Sequence, residues 1–270
     1  MSVHNTHTKI TVNSLAKMKA EGEKIACITA YDASFAECVN AAGADVILVG
    51  DSLGMVVQGL DSTVPVTMDE MVYHTRAVAQ GNTRALLMGD MPFMSYCTEE
   101  QALQNAARLM QEGGAHMVKL ETTQGQIGII RRLVDAGVPV CAHLGLRPQS
   151  VHKLGGYRVQ GRDEVSANAM LEEALGLQDA GADCLLLECV PAALAKRIAE
   201  QVSIPVIGIG AGPDCDGQIL VLYDILAISK GKRPTFSKNY MQGAEDITVA
   251  VQSYVGEVKS KAFPADEHSF

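Results

Sequence analysis

Apolar residues along this chain gather into short continuous runs, separated by stretches with helical spacing. The runs fall at 24–30, 45–50, 84–89, 116–121, 138–143, 183–188, 205–209 and 224–228. Continuous apolar runs of this length read as strands covered on both faces, as in a parallel sheet. A phrase recurs ahead of four of them. Ala41-Ala42-Gly43-Ala44-Asp45 leads into Val46–Val49, and Gln111–Ala115 leads into Met117–Leu120. Asp135–Pro139 leads into Val140–His143, and Asp179–Asp183 leads into Cys184–Leu187. Glycine just past a helix takes the left-handed position that ends it, so each phrase marks a helix handing over to a strand.

The intervening segments carry helix signals. Asp32 is placed to cap a helix whose apolar face is Phe35, Val39 and Ala42. Thr98 to Gln101 fit a capping box ahead of the stripe Leu103, Ala106, Met110. Segments 164–180 and 191–201 show the same periodicity, and residues 9–22 form a weakly amphipathic helix with Leu15 and Met18 on one side. Beyond residue 242, Ile247, Val251, Tyr254 and Val258 mark a helical stretch, followed by the tail Phe263–Phe270. Eight strands alternating with helices predict a (β/α)8 TIM barrel with a short N-terminal helix and a C-terminal helical extension. We expect one domain over 1–270, its core at about 24–230, with a doubly wound open sheet as the alternative. The eighth run, Asp224–Ile228, reads as strand or as part of a helix.

Composition narrows the functional classes. The 270 residues are 47% hydrophobic, enough for an ample core, and the formal net charge is -9. The longest basic cluster is Lys230-Gly231-Lys232-Arg233, which reads as a solvated loop, so nucleic acid is not an expected partner. Seven cysteines without a CxxC spacing argue for a reducing compartment and against a disulfide framework or a zinc site. Residues Met1–Glu23 are polar, and no apolar run approaches the ~18 residues of a membrane span. The expectation is a cytoplasmic protein with no membrane partner.

Chemistry collects where the runs end, and in a barrel the carboxyl ends of the strands carry the active site. The second run ends in Gly50-Asp51-Ser52, the third in Asp90, the fourth in Lys119-Leu120-Glu121, the fifth in His143 and the sixth in Glu188. Singly, each has a structural reading: Asp51-Ser52 as a turn or cap, Lys119 with Glu121 as an ion pair, His143 as a core residue. The structural reading of Glu188 is a helix-capping acid ahead of Pro191, and Cys189 reads as packing. Acids after evenly spaced strands are harder to explain as caps. Asp51, Asp90 and Glu121 are hard oxygen ligands, which select Mg²⁺ over zinc. Such an ion chelates a substrate with two adjacent oxygens, such as a 2-oxo acid, and stabilises its enolate. Glu188, ending the apolar Leu185-Leu186-Leu187, is then the candidate base, its pKa raised toward neutrality. Two loops are further candidates. The long 144–163 connection, rich in Gly, Arg and Gln, has the length of a functional loop. The Gly208–Gly212 run lacks Rossmann or P-loop spacing.

The motifs carrying these residues resemble the ketopantoate hydroxymethyltransferase family. They are Val49-Gly-Asp51-Ser-Leu-Gly-Met55, Gln58-Gly-x-Asp-Ser-Thr-x-Pro-Val-Thr67, Asp90-Met-Pro-Phe-Met94 and Met117-Val-Lys119-Leu-Glu121. The others are His143-Leu-Gly-Leu-x-Pro-Gln149, Gly155-Gly-Tyr-x-Val-Gln-Gly161, Leu186-Leu-Glu188-Cys-Val-Pro191, Ile204-Pro-Val-Ile-Gly-Ile-Gly-Ala-Gly212, Asp216-Gly-Gln-Ile-Leu-Val221 and His268-Ser-Phe270. The resemblance runs from about residue 9 to the end; Arg147 and Arg158 occupy loop positions where the family often has other residues.

This resemblance implies a Mg²⁺-dependent barrel of the phosphoenolpyruvate/pyruvate superfamily. It implies transfer of a hydroxymethyl group from 5,10-methylenetetrahydrofolate to 3-methyl-2-oxobutanoate, giving 2-dehydropantoate for pantothenate and coenzyme A. It implies that Asp51 and Asp90 bind the metal and that Glu121 completes or supports its shell. Asp51, Ser52, Asp90 and Lys119 would contact the oxo acid, His143 would lie near the substrate oxygens, and Glu188 would accept the proton. It also implies a cytoplasmic decamer. The rivals are a Mg²⁺-dependent carbon–carbon lyase of the same superfamily and a non-catalytic ligand-binding barrel.

Overall fold

Seven of the eight apolar runs become parallel strands within two residues of their expected limits. In a computed structural model describing residues 9–270, these are β1 (Ile25–Thr29), β2 (Val46–Val49), β3 (Leu86–Asp90), β4 (Met117–Glu121), β5 (Val140–Gly145), β6 (Cys184–Glu188) and β7 (Val206–Ile209). Residues 1–8, part of the polar segment Met1–Glu23, lie outside the described residues. The strands pair in chain order, all in parallel, and β8 (Gly217–Leu220) pairs back onto β1 to close the barrel. The open-sheet alternative is therefore excluded. Both faces of the strands are covered, which is why the runs are continuously apolar rather than alternating.

The eighth strand corrects the expectation. It is Gly217–Leu220, not 224–228; Asp224 and Ile225 belong to the short helix α10 (Leu222–Ile225). The reason is closure. Gly217 pairs with Ile25 on one side and with Ile207 on the other, and a Cβ there would lie 2.5 Å from the Ile25 oxygen. A segment with a glycine and a glutamine is a weak apolar run, so the stronger run a few residues later outweighed it.

The outer layer comprises α1 (Val12–Glu21), α2 (Ala33–Ala41), α3 (Leu53–Val56), α4 (Met68–Gly81), α5 (Glu99–Gln111), α6 (Ile127–Asp135), α7 (Val151–Leu154), α8 (Glu164–Asp179), α9 (Ala192–Gln201) and α11 (Ile247–Lys259). Asp32 caps as expected, accepting from the Phe35 amide; Thr98 accepts from the Gln101 amide, but the expected box is not completed, because Gln101 Oε1 accepts from the Cys97 amide instead. Helix α4 was not singled out in the sequence, whereas α6 ends at the Asp135 phrase that marks a helix handing over to a strand. The signal for α4 was present, because Thr67 and Glu70 form a capping box. Leu15 and Met18 of α1 are buried. In α11, packed on α2 and β1, the Tyr254 hydroxyl lies 3.0 Å from the carbonyl oxygens of both Cys27 and Gln218 and shares its one proton between them across the seam between β1 and β8.

Four side chains act as acceptors at the amino ends of the strands, and two of them, Asp45 and Asp183, close the recurrent phrase. Asp45 Oδ2 accepts from the Ala26 amide at 3.0 Å, and His116 Nδ1 accepts from the Leu87 amide at 3.0 Å. Asp183 Oδ2 accepts from Val140 at 2.9 Å, and Asp216 Oδ2 from Val206 at 2.8 Å. Each acceptor immediately precedes an even-numbered strand and satisfies the odd-numbered strand before it.

Candidate active site

The seven residues singled out at the strand ends all line one cavity of about 700 Å³ at the carboxyl end of the barrel: Asp51, Ser52, Asp90, Lys119, Glu121, His143 and Glu188. Strand register brings them together. Asp90 is the partner of Lys119 across β3 and β4, and Glu121 is the partner of His143 across β4 and β5. Along β4, Lys119 and Glu121 share a face because side chains alternate.

The structural reading of Lys119 and Glu121 as an ion pair does not hold. Lys119 Nζ donates to both oxygens of Asp90, at 2.7 and 2.8 Å, rather than to Glu121. Burial opposes the charge on Lys119, but Asp90 and Asp51 outweigh it and hold the ammonium above its usual range. Lys119 also approaches His143 Nδ1 at 3.5 Å. An ammonium can only donate, so Nδ1 is the acceptor and the ring proton sits on Nε2. Burial, followed by Lys119, pushes the His143 pKa well below its ordinary value, so the ring is neutral. Its Nε2 faces Glu188 Oε2 at 3.4 Å and has no formed hydrogen bond among the described residues.

Glu188 is 17% exposed, open to the cavity, and burial raises its pKa from 4.5 to about 7, with Lys119 opposing. It does not cap a helix: the residue at the start of α9 is Pro191. Ser52 precedes α3 but makes no capping bond, and its hydroxyl instead shares a hydrogen bond of 2.9 Å with Tyr31. Cys189 is buried, with its thiol pKa pushed up by burial and then by Glu188, in line with packing.

The carboxylates crowd one another. Burial and then the charge of Asp90 raise Asp51 to about 7, and burial followed by Asp51 raises Glu121 well above the carboxylate range. Two residues given no role in the sequence expectations hold this group in place. Gln149 Nε2 donates to Asp51 Oδ2 at 2.8 Å and to the Met91 carbonyl at 2.9 Å, while its main-chain amide donates to Glu121 Oε1 at 2.9 Å. The Tyr96 hydroxyl donates to Gln149 Oε1 at 2.6 Å. Gln149 lies in the long 144–163 connection, which the sequence marked as functional by length; Tyr96 carried no such mark.

Among the described residues no three His, Cys, Asp or Glu side chains stand gathered at metal-ligand spacing. The donor chemistry nevertheless fits Mg²⁺. All donors are hard oxygens, Glu121 Oε2 is buried without a hydrogen-bond partner among the described residues, and Mg²⁺ retains waters while taking only one or two carboxylates.

The model of ketopantoate hydroxymethyltransferase matches residues 9–266. The chain belongs to the ketopantoate hydroxymethyltransferase family. It is 63% identical to the 3-methyl-2-oxobutanoate hydroxymethyltransferase of Alkalilimnicola ehrlichii over 98% of this chain and 96% of that protein. It is 58% identical to that of Nitrosococcus oceani over 97% and 99%. Among solved structures, phosphonopyruvate hydrolase aligns with a TM-score of 0.62 at 15% identity, over 96% of this chain and 99% of that one. A second structure of that enzyme, in complex with oxalate and Mg²⁺, aligns with a TM-score of 0.61 at 16% identity, covering 96% and 93%. A 2,3-dimethylmalate lyase, described as a PEP mutase/isocitrate lyase superfamily member, aligns with a TM-score of 0.58 at 18% identity, covering 77% and 80%. At such identities these structures share the barrel fold with this chain.

Proposed function

We propose that the chain transfers a hydroxymethyl group from 5,10-methylenetetrahydrofolate to 3-methyl-2-oxobutanoate, giving 2-dehydropantoate, as a cytoplasmic homo-oligomer. The observation that carries the reading is Glu188: a carboxyl poised at about 7, open to a cavity that also holds the Asp51, Asp90 and Glu121 carboxylates. Asp51 and Asp90 would hold Mg²⁺, with Glu121 binding directly or through water. Bound there, the ion supplies electrophilic polarisation of the keto group of the substrate. Ser52 and Lys119 orient the oxo acid. Glu188 then takes the proton from C3, leaving an enolate that attacks the one-carbon unit of the folate; water supplies the hydroxyl oxygen, and tetrahydrofolate leaves. Neutral His143 presents Nε2 to Glu188 Oε2 at 3.4 Å without a formed hydrogen bond; closing that gap in the substrate complex would favour the carboxylate form of the base.

Glu188→Gln is expected to retain oxo-acid and Mg²⁺ binding by calorimetry but to lose deuterium exchange at C3. Undiminished exchange in that variant overturns the base assignment. Consumption of methylenetetrahydrofolate with the oxo acid separates transfer from lyase chemistry, and oxo-acid binding without any exchange in the wild type favours a ligand-binding barrel.

A further inference from the structure

The cavity is larger than a five-carbon oxo acid needs. At about 700 Å³ it lies in the range that encloses a drug-sized ligand. Its lower part holds the carboxylates, and its upper part has a different character. Three aromatic rings, Tyr157, Phe236 and Phe270, line it, together with the cationic residues Arg158, Lys230 and Lys232. Tyr157 and Phe270 keep 49% and 40% of their surface open. The two phenylalanines close over Gly210, where a Cβ would lie 3.0 Å from each ring, and the Ala192 amide holds the main-chain oxygen of Phe270 at 2.8 Å.

The cations are unspent. Among the described residues, Arg158, Lys230 and Lys232 form no ion pair, whereas Lys19, Lys119, Lys238 and Lys259 each do. Asp224, the acid that lines the same side of the cavity, is instead engaged by the Ser229 hydroxyl. In a chain of net charge -9, unpaired cations at the mouth of an acid-lined cavity favour a ligand with an anionic outer end.

We propose that this upper part binds the folate co-substrate, its aromatic portion between Tyr157 and the Phe236–Phe270 pair and its glutamyl carboxylates on Lys230 and Lys232. The proposal rests on the transfer reaction given above. The one-carbon end of the folate must reach C3 of the oxo acid beside Glu188, so the opposite, anionic end emerges where these lysines stand. The acids below repel that end and the lysines attract it, so charge alone selects one orientation. The basic cluster that reads as a solvated loop in the sequence thereby gains a ligand.

The test compares kcat/KM for 5,10-methylenetetrahydrofolate with that for 5,10-methylenetetrahydropteroate, which lacks the glutamyl group. Both are measured with Mg²⁺ and saturating oxo acid in the full chain and in a K230A/K232A double variant. Both lysines are exposed, so the substitutions leave the fold intact. The wild type is expected to prefer the folate by roughly 5- to 10-fold, a preference that shrinks with added salt, and the variant by about 2-fold or less. A variant with the wild-type ratio overturns the lysine site alone. Absence of transfer from either compound in the wild type overturns the reaction itself.

Discussion

Gln149 makes four hydrogen bonds and joins two of the carboxylates at the strand ends. Gln149→Ala removes the partner of Asp51 and leaves the Tyr96 hydroxyl buried without an acceptor. Loss of such a supporting contact typically weakens metal binding by about 10- to 100-fold, and burying unpaired polar groups costs about 1–3 kcal/mol of stability. A Mg²⁺ titration followed calorimetrically, alongside chemical denaturation, checks both; lost stability with unchanged Mg²⁺ affinity would make Gln149 a packing residue only. The acids were legible because they recur at strand ends, whereas glutamine has no such signature and the partner of Lys119 depends on a register between two strands. Glu188 has a signed pH dependence. The C3 exchange rate is expected to rise with pH to a plateau, with a midpoint near 7, as the carboxyl ionises. Because its folded pKa lies above its unfolded 4.5, the stability it contributes is full below about 4.5 and is lost as pH rises through 7. Glu188→Gln is therefore expected to melt higher than the wild type at pH 8.

At the scale of elements, four side-chain acceptors tie the amino ends of neighbouring strands together. Three are aspartates and one is His116, whose pKa is lowered by burial and then by the charge of Lys9. Neutral His116 can accept from the Leu87 amide; the protonated ring cannot. Its folded pKa lies below the ordinary 6.5, so its contribution is present above that value and is lost as pH falls through the folded pKa. His116→Asn keeps an acceptor that does not titrate. The difference in unfolding free energy between variant and wild type is expected to shift in favour of the variant from pH 7 to pH 5; a constant difference would mean that the ring does not titrate through this bond. The strands were legible because burial on both faces makes them continuously apolar. Helix α6 was legible at its end, where the Asp135–Gly137 phrase closes it, but not at its start, where the Thr123–Gln126 capping box opens the turn that leads into it.

For the whole molecule, the sequence pointed to a closed barrel but not to its seam. Alternation of strands and helices is local information, whereas which segment meets β1 depends on contacts between the two ends of the barrel. Gly217 and Tyr254 make that meeting possible, one by its lack of a side chain and one by bonding both strands. Tyr254→Phe keeps the packing and removes the hydroxyl. It is expected to cost about 1 kcal/mol in urea unfolding, and a variant as stable as the wild type would show that the seam does not depend on this bond.

The acceptor row and the carboxylates occupy opposite ends of the same strands. With strands of four to six residues, the two sets stand roughly 13–20 Å apart. Free-energy changes at that distance generally add rather than couple. A breeder of this enzyme can therefore treat the two ends as separate ledgers, selecting heat resistance at positions such as His116 while evolving substrate range at the mouth, and combine the winners without retesting every pair.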